Sequence, residues 1–127
     1  KPPVRCGHSS WVIGKSIFVY AGSNHTNGMV YLDDLWAFDT GALIASKNLV
    51  NFCALENHQW TEIETCGTKP LGRNSCATKV VDDEMYMLGG QTSAHKVTGD
   101  FYKLNLHTYE WTQLREWIPH FKVRYDL

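Results

Sequence analysis

The side chains in this chain that could do chemistry are histidines, cysteines and short acidic runs. His8, His25, His58, His95, His107 and His120 are scattered, and no H-E-x-x-H, G-x-S-x-G or phosphate-loop pattern joins them to a partner. Cys6, Cys53, Cys66 and Cys76 form no C-x-x-C pair, which argues against a zinc ribbon or a dithiol redox centre. They are expected to be reduced and buried. Cys6 and His8 together offer two ligands where a structural zinc needs four. Asp33-Asp34 and Asp82-Asp83-Glu84 lack the ligand spacing of a calcium loop and fit solvated turns and strand edges. No catalytic, cofactor-binding or metal-binding residue is therefore nominated, and no cofactor is expected.

The chain has 127 residues, 43% of them hydrophobic, enough to bury the core of one domain. A net charge of −1 leaves no electrostatic footprint for nucleic acid or an anionic membrane. No apolar run approaches the ~18 residues that a membrane span requires. The sequence opens on Lys1-Pro2-Pro3 with neither an initiator Met nor a leader pattern, so a piece of a longer or processed chain is expected. Asn24-His25-Thr26 is a glycosylation sequon that matters only in a secreted protein; the expected compartment is the cytoplasm.

What must position these residues becomes visible when the sequence is laid on itself. Residues 5–22 align without a gap on 73–90, with Arg5 on Arg73, Val12-Ile13 on Val80-Val81, and Ala21-Gly22 on Gly89-Gly90. Further on, Asp34 meets Asp100, Leu35 meets Phe101, Trp36 meets Tyr102 and Phe38 meets Leu104. A Trp-Thr closes each copy, at Trp60 and at Trp111. Each copy divides into four short strands: 8–13, 16–22, 33–39 and 59–64, then 76–81, 84–90, 100–106 and 110–115. Turn signals separate them at Gly14-Lys15, Asn27-Gly28 and Asp82-Asp83. The second strand of each copy is apolar on consecutive residues, which predicts burial on both faces. Stacked four-stranded sheets in a β-propeller provide that burial. An eight-stranded sandwich would also place eight strands at this spacing, but it leaves the ungapped repeat without a cause.

The Arg-x-x-His opening, the glycine pair, the Asp-Leu-Trp-x-Phe-Asp strand and the spaced Trp resemble kelch repeats, over residues 3–114. The resemblance implies an all-β fold: two four-stranded antiparallel kelch blades, part of a β-propeller. The expected boundaries are 1–67 for the first repeat, 68–118 for the second, and 119–127 for the start of a third, opened by Arg124. Arg5, Gly22, Trp60, Arg73, Gly89, Gly90, Tyr102 and Trp111 are the structural repeat residues. The arginines are expected to clamp backbone or carboxylate groups between blades, and the tryptophans to supply the ring that the glycine pair admits.

The first copy departs from the pattern in two places. Ala21 replaces the first glycine of the pair. An insertion also separates the third and fourth strands, of 15 residues at about 42–56. Leu49 and Phe52 there have helix-face spacing, which suits either a helix folded over the blade edge or an apolar patch that docks a partner. Two copies do not close a ring of the roughly four to eight blades a propeller needs. The chain is thus a slice of a larger propeller, or it completes a ring with copies of itself. The loops between strands two and three (about 23–32 and 91–99) share a face with the inter-repeat connections. Asn24, His25, Asn27, Gln91, Ser93 and His95 are the partner-binding candidates there. The expected function is protein–protein interaction, as a segment of a scaffold, adaptor or substrate-recognition protein, without catalysis or nucleic-acid or membrane binding. Kelch-like propellers also include copper oxidases and iron-dependent specifier proteins, so part of a metal-dependent propeller enzyme is the alternative. The acid-x₃-Asp-x₃-His run of the specifier proteins does not occur here.

Overall fold

A computed structural model describes residues 1–26, 28–40 and 59–115. Eleven strands run in chain order: β1 Ser9–Ile13, β2 Ser16–Tyr20, β3 Ser23–Asn24, β4 Val30–Tyr31, β5 Leu35–Asp39, β6 Trp60–Ile63, β7 Cys66–Gly67, β8 Ala77–Val81, β9 Glu84–Ser93, β10 Lys96–Asn105 and β11 Glu110–Arg115. Sheet one has the order β1-β2-β5-β6, and sheet two the order β7-β11-β10-β9-β8. A two-stranded ribbon, β3-β4, accompanies sheet one.

Each sheet is an antiparallel meander, as the repeat predicts, with one addition. β7, from the connection between the copies, pairs in parallel with β11, so sheet two has a fifth strand at its outer edge. The second strand of copy one also stops earlier than 22. Ala21 and Gly22 lie at φ 60° and 99°, a left-handed turn that ends β2. In sheet two the chain re-enters pairing past Gly90, and the expected loop at 91–99 is instead a hairpin of β9 on β10. Likewise Ser23↔Tyr31 and Asn24↔Val30 pair within the expected loop at 23–32. The insert at 42–56, with Leu49 and Phe52, lies outside the described residues, as do Asn27 and the expected third repeat at 119–127.

One core holds the two sheets together, and it is the seam between them. Phe18, Tyr20, Ala21 and Leu35 come from sheet one; Met85, Met87, Tyr102, Leu104 and Trp111 come from sheet two. Strand alternation puts each set on one face of its sheet. The residues between them on the second strands, Ile17, Val19, Tyr86 and Leu88, are half-buried on the opposite faces. Burial on both faces, expected of these strands, is therefore complete on the seam side only.

Candidate functional site

Among the described residues, Arg5 and Arg73 are the best-buried cations, with side chains 4% and 1% exposed. Arg5 donates from Nη1 to Asp34 Oδ1 at 2.6 Å and from Nη2 to Oδ2 at 2.9 Å. It also donates to the carbonyls of Ala21 and Pro3. Arg73 repeats every contact: Asp100 Oδ1 at 2.5 Å, Oδ2 at 3.2 Å, and the carbonyls of Gly89 and Leu71. A planar guanidinium is suited to this two-pronged grip. Burial pushes the Asp34 carboxyl up, but hydrogen bonds from Arg5 and Trp36 Nε1 outweigh it and hold the pKa below the usual range. Both clamps close within their own repeat, correcting the expectation that they bridge blades. Each ties its lead-in to the turn after its own second strand.

The glycine pair has a different reason from the one expected. A Cβ on Gly22 would stand 2.8 Å from the Cys6 carbonyl, and one on Gly90 2.8 Å from that of Asn74. What approaches is the lead-in backbone of the same repeat, not a Trp ring. That backbone is hydrogen-bonded both ways, Cys6 with Ser23 and Asn74 with Gln91. Trp111, 2% exposed, packs across the seam on Tyr20 at 5.1 Å and edge-on to Tyr102. Trp60 is half-buried on the outer face of sheet one, against Phe38 at 5.2 Å.

The repeats are joined by backbone. Gly22 N–H donates to Arg73 O at 2.8 Å, Arg73 N–H to Leu32 O at 3.1 Å, and Ser75 N–H to Gly7 O at 2.8 Å. Asn74 Nδ2 reaches Ser23 Oγ at 3.1 Å. Gly72 lies so close to Tyr31 that a Cβ would overlap its carbonyl oxygen. Gly72 is the glycine of the Pro-x-Gly-Arg lead-in of the second repeat, but the sequence does not say which group it approaches.

The partner-binding candidates sit on these hairpins. His25, Ser93 and His95 are exposed, while Asn24 and Gln91 are half-buried. Asn24 Oδ1 accepts the Thr26 N–H, and Gln91 Nε2 donates to Ala94 O, so both also shape their own loops. His25 Nε2 lies 3.3 Å from Ser23 Oγ. β9 and β10 run ten residues each against five in β8, so their tip stands beyond the end of the sheet. Beside the tip is a cleft of about 540 Å³ lined by Leu71, Thr92, His95, Lys96, Val97, Thr98 and Asp100. The opposite end carries the tight turns at 14–15 and 82–83 and a smaller notch where His107 Nε2 meets Asp83 Oδ1 at 3.3 Å.

Of the cysteines, Cys6 and Cys66 are exposed, against expectation, because they lie on lead-in and edge segments. Cys76 lies close to the seam, its Sγ 3.3 Å from Ser9 Oγ. Burial pushes its thiol pKa up despite the Ser9 hydrogen bond. Among the described residues no three His, Cys, Asp or Glu side chains group as a metal site would require. No helix among them is long and apolar enough to cross a membrane.

Comparison with known proteins places this geometry. The family model for the KLHDC2/KLHL20/DRC7 Kelch-repeats domain matches residues 1–116. Kelch domain-containing protein 3 of Bos taurus is 30% identical over 112 residues, covering 87% of this chain and 25% of that protein. Host cell factor 2 of Homo sapiens is 35% identical over 96 residues, covering 65% of this chain and 10% of that protein. Host cell factor homolog hcf-1 of Caenorhabditis elegans is 27% identical over 113 residues, covering 89% and 12%. The chain thus spans a quarter or less of the length of these relatives.

Proposed function

Because the chain belongs to the kelch-repeat family and its two sheets are blades of a β-propeller, we propose that it works as a protein-interaction segment. It binds a partner protein through the hairpin ends that carry Asn24, His25, Gln91, Ser93 and His95, in a scaffold, adaptor or substrate-recognition protein. It performs no catalysis of its own. The observation that carries this reading is the division of labour among polar groups. Both buried arginines are fully engaged in holding their own repeats. The exposed polar side chains His25, Ser93 and His95 lie in the stretches that follow the second strand of each repeat, around β3-β4 and at the β9-β10 turn. Loops held on a rigid sheet are where binding residues usually sit. The exposed thiols of Cys6 and Cys66 favour a reducing, cytoplasmic setting.

The test is site-specific photo-crosslinking in cells, with the probe at His25 or His95 and, as a control, at His107 on the opposite end. The two hairpin probes should capture one common partner that the control does not. Capture of that same partner from position 107 alone would reverse the assignment of faces.

A further inference from the structure

Cys6, Ser23 and His25 meet at the lead-in of the first repeat, and the backbone they share is built without such side chains one repeat later. The same bridge forms twice, Cys6 with Ser23 and Asn74 with Gln91. The second repeat makes it with two amides, and it has Ser93 where the first has His25. In the first repeat the bridge carries a thiol, a hydroxyl and an imidazole instead. Cys6 Sγ lies 3.7 Å from Ser23 Oγ, and Ser23 Oγ lies 3.3 Å from His25 Nε2. Both ends of this line are exposed, at Cys6 and His25, while Ser23 in the middle is fully buried.

The proton count at Ser23 shows what the line can do. A hydroxyl has one proton to donate and two lone pairs with which to accept. Asn74 Nδ2 donates to Ser23 Oγ at 3.1 Å and occupies one lone pair. The Cys6 S–H can fill the other, with the hydroxyl proton given to His25 Nε2. Moving the thiol proton through the hydroxyl to Nε2 leaves the oxygen equally satisfied. It then accepts from Asn74 and from Nε2–H, and donates to the sulfur. The transfer thus strands no group on a buried oxygen. The other described thiols lack this outlet. Cys66 Sγ donates to the Tyr109 carbonyl at 3.8 Å, and a carbonyl passes no proton on. Cys76 Sγ lies 3.3 Å from Ser9 Oγ, but that hydroxyl also donates to the Cys76 carbonyl at 3.2 Å, and no imidazole bonds to it among the described residues.

We propose that Cys6 is a nucleophilic modification site for small α,β-unsaturated carbonyl compounds, with Ser23 and His25 as its proton relay. The sulfur attacks the β-carbon, so the S–C bond forms and the C=C π pair moves toward the carbonyl. The thiol proton leaves through Ser23 Oγ to His25 Nε2. The α-carbon takes up one proton as His25 returns its own to solvent. The net step adds S–H across the double bond, and it consumes no oxidant or reductant. A nucleophile linked to a base through a group that is itself held in place is what such a reaction requires, and Asn74 supplies the hold.

Acrylamide, an uncharged compound of this class, tests the relay on the full chain, with peptide-resolved mass spectrometry at neutral pH. Cys6 should be alkylated about tenfold faster than Cys66. His25→Gln should bring Cys6 down to the Cys66 rate, because a Gln amide can hold the Ser23 hydroxyl but cannot take its proton. A merely structural His25 would leave the rate in place. Ser23→Ala should lower it in the same way. Cys76 reports the fold in every sample, since its labelling stays slow while the chain is intact. Should Ser23→Ala open the chain, His25→Gln, at an exposed residue, decides. A parent chain in which Cys6 reacts no faster than Cys66 overturns the proposal. So does a His25→Gln chain, with Cys76 still slow, in which Cys6 keeps its lead.

Discussion

Gly72→Ala isolates the joint between the two blades. Gly72 has no left-handed φ, so the substitution brings no backbone strain of its own. The cost is steric: the new Cβ overlaps Tyr31 O and stands 2.8 Å from Tyr31 C and 3.1 Å from Leu32 C. Both sides are main chain, so no side chain can swing away. Reaching ordinary contact requires the two backbones to part by on the order of 1 Å. The Arg73 N–H to Leu32 O bond, 3.1 Å long, would then stretch past a useful length. Losing it costs about 1 kcal/mol, and the overpacking about 1–3 kcal/mol, so the total is about 2–4 kcal/mol. Gly14→Ala is the matched control. Gly14 has φ +57° and nothing within 4 Å of a Cβ, so it carries only the left-handed penalty, about 1 kcal/mol. Urea unfolding of the two variants measures the difference. If Gly72→Ala costs no more than Gly14→Ala, the close approach of the lead-in to the first blade is not what joins the repeats.

Three further outcomes follow from the clamps and the seam. Arg73→Ala should destabilise by about 3–5 kcal/mol in the same urea assay, because it strands Asp100 in a site where only 14% of its side chain is exposed. Arg73→Lys should recover little of this, since one ammonium cannot serve both carboxylate oxygens and two carbonyls. Asp34 has a folded-state pKa below its unfolded value, so its contribution is present above about pH 4 and is lost as pH falls through the folded value. The stability gap between the parent and Asp34→Asn should accordingly close on acidification, as read from thermal melts between pH 7 and pH 2. Cys76 has its pKa raised from 9.0, so the native thiol resists ionisation and its stabilising contribution fades only as pH climbs from there through the folded value. Site-resolved alkylation near neutral pH should label the exposed Cys6 and Cys66 quickly and Cys76 only as the chain opens.

What the sequence made legible was carried by side chains in equivalent positions. The equivalence of Arg5 with Arg73 and of Asp34 with Asp100, the glycine pair and the strand meander follow from laying the sequence on itself. Alignment says which residues are equivalent but not which neighbour each one meets. For that reason the arginines were expected to bridge blades, whereas both close on their own repeat. Trp60 and Trp111 are the same letter in the same register, yet one lies on an outer face and the other in the seam. The parallel strand Cys66–Gly67 is too short to carry a hydrophobic period. Gly72 stands in the Pro-x-Gly-Arg lead-in, but its role stayed hidden: the constraint comes from the Tyr31 carbonyl, and main-chain atoms leave no trace in composition.

The two kinds of contact divide stability from order. Charge recognition stays inside each repeat, where a clamp fixes the lead-in against its own second strand whatever repeat stands beside it. The contact between repeats uses mainly apolar faces and main-chain hydrogen bonds, which are nearly indifferent to side-chain identity, with the Asn74–Ser23 and Ser9–Cys76 bonds beside them. Ile17 and Val19 hold in the first copy the register positions that Met85 and Met87 hold in the second. Ala21 shows how far this tolerance reaches. It occupies a left-handed position at φ 60° that Gly89 fills in the second copy, and its carbonyl still receives the arginine. Selectivity in the joint therefore falls on the residue before the arginine, the one position where a side chain would meet a carbonyl. Glycine there admits the second repeat onto the first.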